Sequence, residues 1–158
     1  MSELARYREG RLARRGGDRG PVREFLAFVL AGELYGVELT RIREILSPPP
    51  ITSVPRSPDD VIGVCSVRGL LVTVVDLRRR LRLEEREQTR RTRILLTQAE
   101  EGEMLGLFVD EVRQVMRLTE TEIEPASVVL GGDVSEHVLG IGRPAGSVLI
   151  LLDLASIV

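Results

Sequence analysis

The residues best able to do chemistry are few. His137 is the only histidine and Cys65 the only cysteine, so a Ser-His-Asp relay would have to pass through His137, and a thiolate nucleophile would have to be Cys65. His137 stands in a polar segment before the last apolar run and reads as a surface or packed histidine. Strand alternation points Cys65 away from Val64 and Ser66, toward a core where a thiol is inert. A single cysteine excludes an intramolecular disulfide and, with one histidine, a Cys/His zinc site. Gly140-Ile141-Gly142 lacks the third glycine of a phosphate loop and leads into a strand rather than a helix. Asp76 and Asp153 each follow an apolar run, and read as strand-end acceptors of backbone N–H groups rather than as a catalytic pair. No reactive centre emerges, so no catalysis, cofactor or metal is expected. The polar side chain that stands out is Arg68, a cation followed by Gly69 between two runs of Val, Leu and Ile.

Those runs, 61–67 and 70–77, read as two strands joined by a tight turn, because β-branched residues fit a pleated sheet and Gly69 supplies the freedom a reversal needs. The same pattern returns 77 positions later, with Gly63 over Gly140, Gly69 over Gly146, Asp76 over Asp153 and Leu77 over Leu154. A weaker match precedes each copy: residues 36–46 align with 106–116 in their apolar positions. The chain therefore reads as one β-rich unit used twice.

At 158 residues the chain is long enough to bury about 70% of its unfolded surface. Its charge is uneven, since residues 1–23 carry seven Arg and a net +4, leaving −6 for the remainder. All 22 basic residues are Arg, which reads as coding bias and supports no inference about partners. Residues 1–23 have too few apolar groups to offset the entropy of ordering and are expected to form a flexible leader. Apart from Tyr7 they lack aromatics for base stacking, so nucleic acid is disfavoured as a partner. No run is long enough to span a bilayer. Arg14-Arg15 precedes an apolar run but no small-residue cleavage site follows, and the lone cysteine suits a reducing cytoplasm.

The elements that must position Arg68 follow from pattern. Residues 25–30 and 34–39 read as a hairpin. Leu39, Ile42, Ile45 and Leu46 follow helical spacing, which predicts a short helix over 40–46, ended by Pro48-Pro49-Pro50. Residues 78–93 read as a charged, solvated connector with Leu77, Leu81 and Leu83 anchoring its start. Residues 94–97 and 104–109 form the second hairpin, and Asp110 caps a helix-like segment through Met116. Thr119 to Ile123 is one turn, Gly131-Gly132-Asp133 a loop, and Leu154 to Val158 a short helical tail. The expected fold is all-β dominated, with two SH3-like five-stranded barrels and short helices. Subdomain 1 would cover about 25–80 and subdomain 2 about 94–158, with strand exchange between them allowed, and a partner would dock in the groove where they meet.

Phe25-Leu26-x-Phe28, Tyr35-Gly36-Val37, Ile42-Arg43-Glu44-Ile45-Leu46, Pro50-Ile51-Thr52-x-Val54-Pro55, Gly63-Val64-x-x-Val67-Arg68-Gly69, Val74-Val75-Asp76-Leu77-Arg78 and the closing Leu149 to Leu154 together resemble the CheW family, over about residues 24–158. The resemblance implies a non-catalytic adaptor that couples the cytoplasmic tip of a chemoreceptor to the regulatory domain of the histidine kinase CheA, in a cytoplasmic array that admits CheW-type ring assembly. It further implies receptor or kinase contacts at Arg68, Glu44 and Ile42, and at Val64, Arg93, Val112 and Val115 lining the groove or the kinase contacts. An Arg at a hairpin tip can pair with a receptor carboxylate while neighbouring Val and Ile take its apolar stripe. The competing reading of Arg68 is an internal bond to Glu44 or Asp76. Two positions depart from the family pattern: Ser66 replaces its Asn and Thr73 its Pro, which fits a parallel chemosensory or gliding-motility pathway. A relative binding kinase but not receptor is the alternative, and a small-barrel nucleic-acid binder using the basic leader is the third.

Overall fold

The computed structural model describes residues 21–126 and 136–158. Gly131 to Asp133 and nearly all of the Arg-rich leader lie outside the described residues. The leader's last part is not separate from the fold, because β1 already begins at Val22. Arg23 is held there by Glu38 at 2.9 Å and Glu120 at 3.1 Å.

Among the described residues eleven strands follow in order: β1 Val22–Leu30, β2 Glu33–Glu38, β3 Ile42–Leu46, β4 Val61–Val67, β5 Leu70–Asp76, β6 Arg93–Gln98, β7 Met104–Val109, β8 Glu111–Thr119, β9 Ile123–Pro125, β10 Val138–Gly142 and β11 Leu149–Leu152. They form a six-stranded sheet, β8-β1-β2-β11-β10-β9, and a five-stranded sheet, β3-β6-β7-β5-β4. The fold is all-β dominated with SH3-like subdomains, and the short strand β9 brings one of them to six strands instead of five.

The chain does not divide at the connector into 25–80 and 94–158. The five-stranded sheet takes the contiguous segment β3 to β7, and the six-stranded sheet takes both ends of the chain. In terms of the repeat this is a reciprocal exchange. Each sheet borrows its first hairpin from the other copy, so Gly36 of β2 lies opposite Leu151 of β11, and Gly106 of β7 lies opposite Val74 of β5. Residues 74 and 151 are themselves 77 apart, which makes the two contacts equivalent. Hairpins form locally, but only a strand from the distant copy completes each sheet.

Both predicted helical segments are strands. Residues 39–41 form one 3-10 turn, and Ile42 to Leu46 pair with β6. In place of a helix through Met116 stands the nine-residue β8, paired with β1. The physical reason is shared. A regular strand would send Ile42 and Ile45 to opposite faces, but the register with β6 shifts between Ile42 and Glu44, and this bulge returns both to the core. A matching shift in the β1–β8 ladder accompanies Val112 and Val115. A bulged strand thus reproduces the three-residue spacing of a helix, and isolated helices of seven residues are marginal in water in any case.

The largest apolar cluster spans both sheets, joining Leu26, Phe28 and Val37 of one to Ile45, Leu95 and Leu107 of the other. Separate smaller clusters fill each barrel, around Cys65, Val72 and Ile94 in one and around Phe25, Leu118 and Leu149 in the other. The connector is not wholly solvated: Leu77–Arg80 is a helical turn, Leu77 is buried, and Leu81 and Leu83 pack against the shared cluster.

Candidate functional site

The site is built on the β4–β5 hairpin. Arg68 and Gly69 occupy the turn with φ of 49° and 83°, a pair of left-handed conformations that matches the twist of the flanking strands and favours glycine at the second position. Along β4 and β5, Cys65, Val67, Val72 and Val74 face the barrel core. Val64, Ser66, Leu71 and Thr73 therefore share the other face, as their cross-strand pairing Val64↔Thr73 and Ser66↔Leu71 requires. That face continues to Val75, which packs against the cluster between the barrels. A strip thus runs from the seam of the two barrels out to a free tip, where Leu70 is 63% and Leu71 71% exposed.

Arg68 is not a free cation at this tip. Its guanidinium makes a two-pronged ion pair with Glu44, Nη1 to Oε2 at 3.1 Å and Nη2 to Oε1. Glu44 lies on β3, the opposite end of the strand order from β4, so the pair closes the five-stranded sheet into a barrel. The Glu44 carboxylate raises the Arg68 pKa above its ordinary value, chiefly through the hydrogen bond. The pair is open to water and adds little to stability, but it presents a cation and an anion side by side next to two bare leucines.

The remaining predicted contacts divide. Val64 lies on the strip, half-buried and bonded through its backbone to Thr52. Arg93 opens β6 with its Nη1 on the carbonyls of Arg90 and Thr92. Ile42, Val112 and Val115 are between 2% and 8% exposed, inside the shared core. The resemblance implied partner contacts at these three, but the bulged strands turn all of them inward. Leu70 and Leu71 escaped the sequence reading. Their signal was two consecutive leucines after Gly69, where alternation calls for only one apolar residue.

Of the six positions read as turns or strand ends, Gly63 and Gly140 lie inside strands β4 and β10. Asp76 accepts from the Arg78 N–H at 2.9 Å and Asp153 from the Ala155 N–H at 3.1 Å, each starting a short helix. Gly69 and Gly146 both have positive φ. A Cβ on Gly63 would lie 2.2 Å from the Thr52 carbonyl oxygen, and one on Gly140 2.7 Å from that of Glu124, so each glycine admits a neighbouring backbone. Arg78, read as part of the connector, is instead 4% exposed and ringed by acceptors.

Neither reactive candidate is poised. Burial pushes the Cys65 thiol above its ordinary pKa, away from the nucleophilic form. His137 Nδ1 lies 3.1 Å from the Ser156 hydroxyl, which itself donates to the Asp153 carbonyl at 2.9 Å. Among the described residues no group of three His, Cys, Asp or Glu side chains is placed to hold a metal ion, and no helix is long and apolar enough to cross a membrane.

The described residues thus form paired SH3-like barrels with an apolar hairpin tip and an adjoining ion pair. Comparison with known proteins gives the family: the CheW-like domain model matches residues 24–158. Chemotaxis protein CheW of Helicobacter pylori is 29% identical over 138 residues, 87% of this chain and 82% of that protein. Protein FrzA of Myxococcus xanthus is 32% identical over 128 residues, covering 80% and 78%. The crystal structure of scaffolding protein TtCheW from Thermoanaerobacter tengcongensis superposes with a TM-score of 0.77 at 29% identity, over 84% of this chain and 90% of that one. The chain belongs to the CheW-like domain family, and is a non-catalytic chemotaxis scaffold.

Proposed function

We propose that this protein couples a chemoreceptor to the histidine kinase CheA, holding the receptor's cytoplasmic tip on the β4–β5 strip and the kinase regulatory domain on other surfaces of the barrels. The observation that carries the reading is the hairpin tip: Leu70 and Leu71 exposed beside the Arg68–Glu44 pair, at the outer end of a strip that begins at the inter-barrel seam. An amphipathic receptor helix offers complementary chemistry, with an apolar stripe for Leu71 and Val64 and a carboxylate that can share Arg68 with Glu44. Such a protein works in the cytoplasm at the receptor array and needs no cofactor, and further copies of the fold could join it in a ring. Arg93, at the start of β6, is proposed as part of the kinase-facing surface.

The test is reconstitution from purified protein, a receptor cytoplasmic fragment and CheA, with kinase autophosphorylation as readout. Adding the protein should raise kinase activity. Arg68→Glu, which sets two carboxylates against each other at the tip, should abolish the rise while leaving the melting temperature within a few degrees. Full coupling by a folded Arg68→Glu protein would show that the strip is not the receptor surface. Capture of CheA without any receptor binding would instead favour a selective coupler or inhibitor, a reading to which the departures at Ser66 and Thr73 on this same strip lend weight.

A further inference from the structure

The Arg78 guanidinium gathers segments from both sheets. Nε and Nη2 bond the two oxygens of Asp76 at 3.0 and 2.9 Å, where β5 of the five-stranded sheet ends. Nη1 reaches Asp110 Oδ1 at 2.8 Å and the Arg86 carbonyl at 2.6 Å. Asp110 stands at the crossing from β7 to β8, where the chain passes from one sheet to the other. Its second oxygen accepts the Ala31 N–H at 2.8 Å, and its own N–H donates to Val29 at 3.1 Å, so it grips the β1–β2 turn of the six-stranded sheet. Phe108 closes one side, its ring centroid 5.3 Å from the guanidinium carbon. The Asp76 hydrogen bond outweighs the opposing effect of burial and raises the Arg78 pKa, so the group remains charged.

We propose that Arg78 is a positioning residue that fixes the angle between the two barrels, through the chain Asp76–Arg78–Asp110–Ala31. Burial of hydrocarbon in the apolar seam is a non-directional driving force. A planar fork bonded bidentately on one side and through a shared carboxylate on the other has one geometry. Buried ion pairs contribute less to net stability than their Coulomb energy suggests, and their best-attested role is to select one arrangement among several. The equivalent place in the other copy holds Ala155 beside Asp153, and alanine has no side-chain donor to form such a clasp. This role is independent of which partner the protein binds.

The test measures the angle directly. Spin labels placed by Leu71→Cys and Val148→Cys in a Cys65→Ser background report one tip on each barrel, since both residues are exposed. Electron-electron resonance should give one narrow distance in the parent protein. With Arg78→Met the distribution should at least double in width. Asp110→Asn, which keeps one acceptor, should give an intermediate width. Val74→Ala, a core change within one barrel, serves as the control and should stay narrow despite lowering stability. An unchanged distribution in folded Arg78→Met overturns the proposal, as does equal broadening in Val74→Ala. Should Arg78→Met fail to fold, Asp110→Asn decides alone, and parental width there overturns it.

Discussion

The two copies of the repeated hairpin end on the same device and use it differently. Asp76 and Asp153 each finish a strand, accept the N–H two residues on and start a four-residue helix. Asp153 does little more, being partly exposed and followed by Ala155. Asp76 is 1% exposed and also neutralises a buried guanidinium that ties both sheets. A second contrast follows at the turns, where Leu71 and Val148 occupy equivalent positions and both are bare. The first tip carries Arg68–Glu44, which joins the two ends of its sheet, whereas the second carries Arg143–Glu124 at 2.9 Å between neighbouring strands, and Ala145 stands where the other copy has Arg68. The repeat therefore forms two similar scaffolds, of five and six strands, whose tips carry ion pairs of different reach.

The sharpest way to break the comparison is at the aspartates. Asp76→Ala leaves Arg78 charged, buried and stripped of its main partner, and should cost about 3–5 kcal/mol. Asp153→Ala removes a cap and should cost about 1 kcal/mol. Urea titrations of the two variants measure the gap, and equal losses would mean that the Arg78 network does no more than cap a helix.

The glycines come next. Gly63→Ala drives a methyl into the Thr52 carbonyl and should cost about 1–3 kcal/mol by displacing the segment that follows β3. Gly140→Ala meets a more distant carbonyl and the movable Ile123 side chain, so the same titration should find a smaller loss.

At the tips, Leu71→Ser and Val148→Ser should each alter stability by no more than about 0.5 kcal/mol, since both side chains are in water. Their effects on receptor-fragment affinity should separate, with Leu71→Ser weakening it by about 1 kcal/mol or more and Val148→Ser leaving it unchanged. Equal effects would make the two tips interchangeable in docking.

The smallest effect is that of pH on Cys65, whose position in the other copy is Gly142. Because burial raises the thiol pKa, the folded protein holds this proton to higher pH than the unfolded chain does. Its contribution is complete below the ordinary thiol range and declines as pH rises through it. Reaction with a thiol reagent at pH 8 should therefore track global unfolding, and prompt labelling of the native protein would place Cys65 outside the core.

Much of this is legible in the sequence. Gly69, Asp76 and their partners 77 residues on are readable because turns and caps are local, set by the φ a residue tolerates and by side chains reaching two residues along, whereas Gly63 and Gly140 lie inside strands where another segment's backbone approaches. The segments around Ile42 and Val112 were misread as helical because a β-bulge imitates helical spacing, and nothing local distinguishes the two.

What the sequence alone determined was the repeated β unit, its turns, its strand-end caps and its membership of an adaptor family. Tertiary structure decided which copy each hairpin pairs with, that Arg68 closes a barrel on Glu44, and that Arg78 is buried between sheets. The physical reason is range: a turn involves neighbours in the chain, whereas the closure of Arg68 on Glu44 joins residues 24 positions apart and the pairing of β2 with β11 joins Gly36 to the far more distant Leu151, meetings set by where the whole chain can bury its apolar faces.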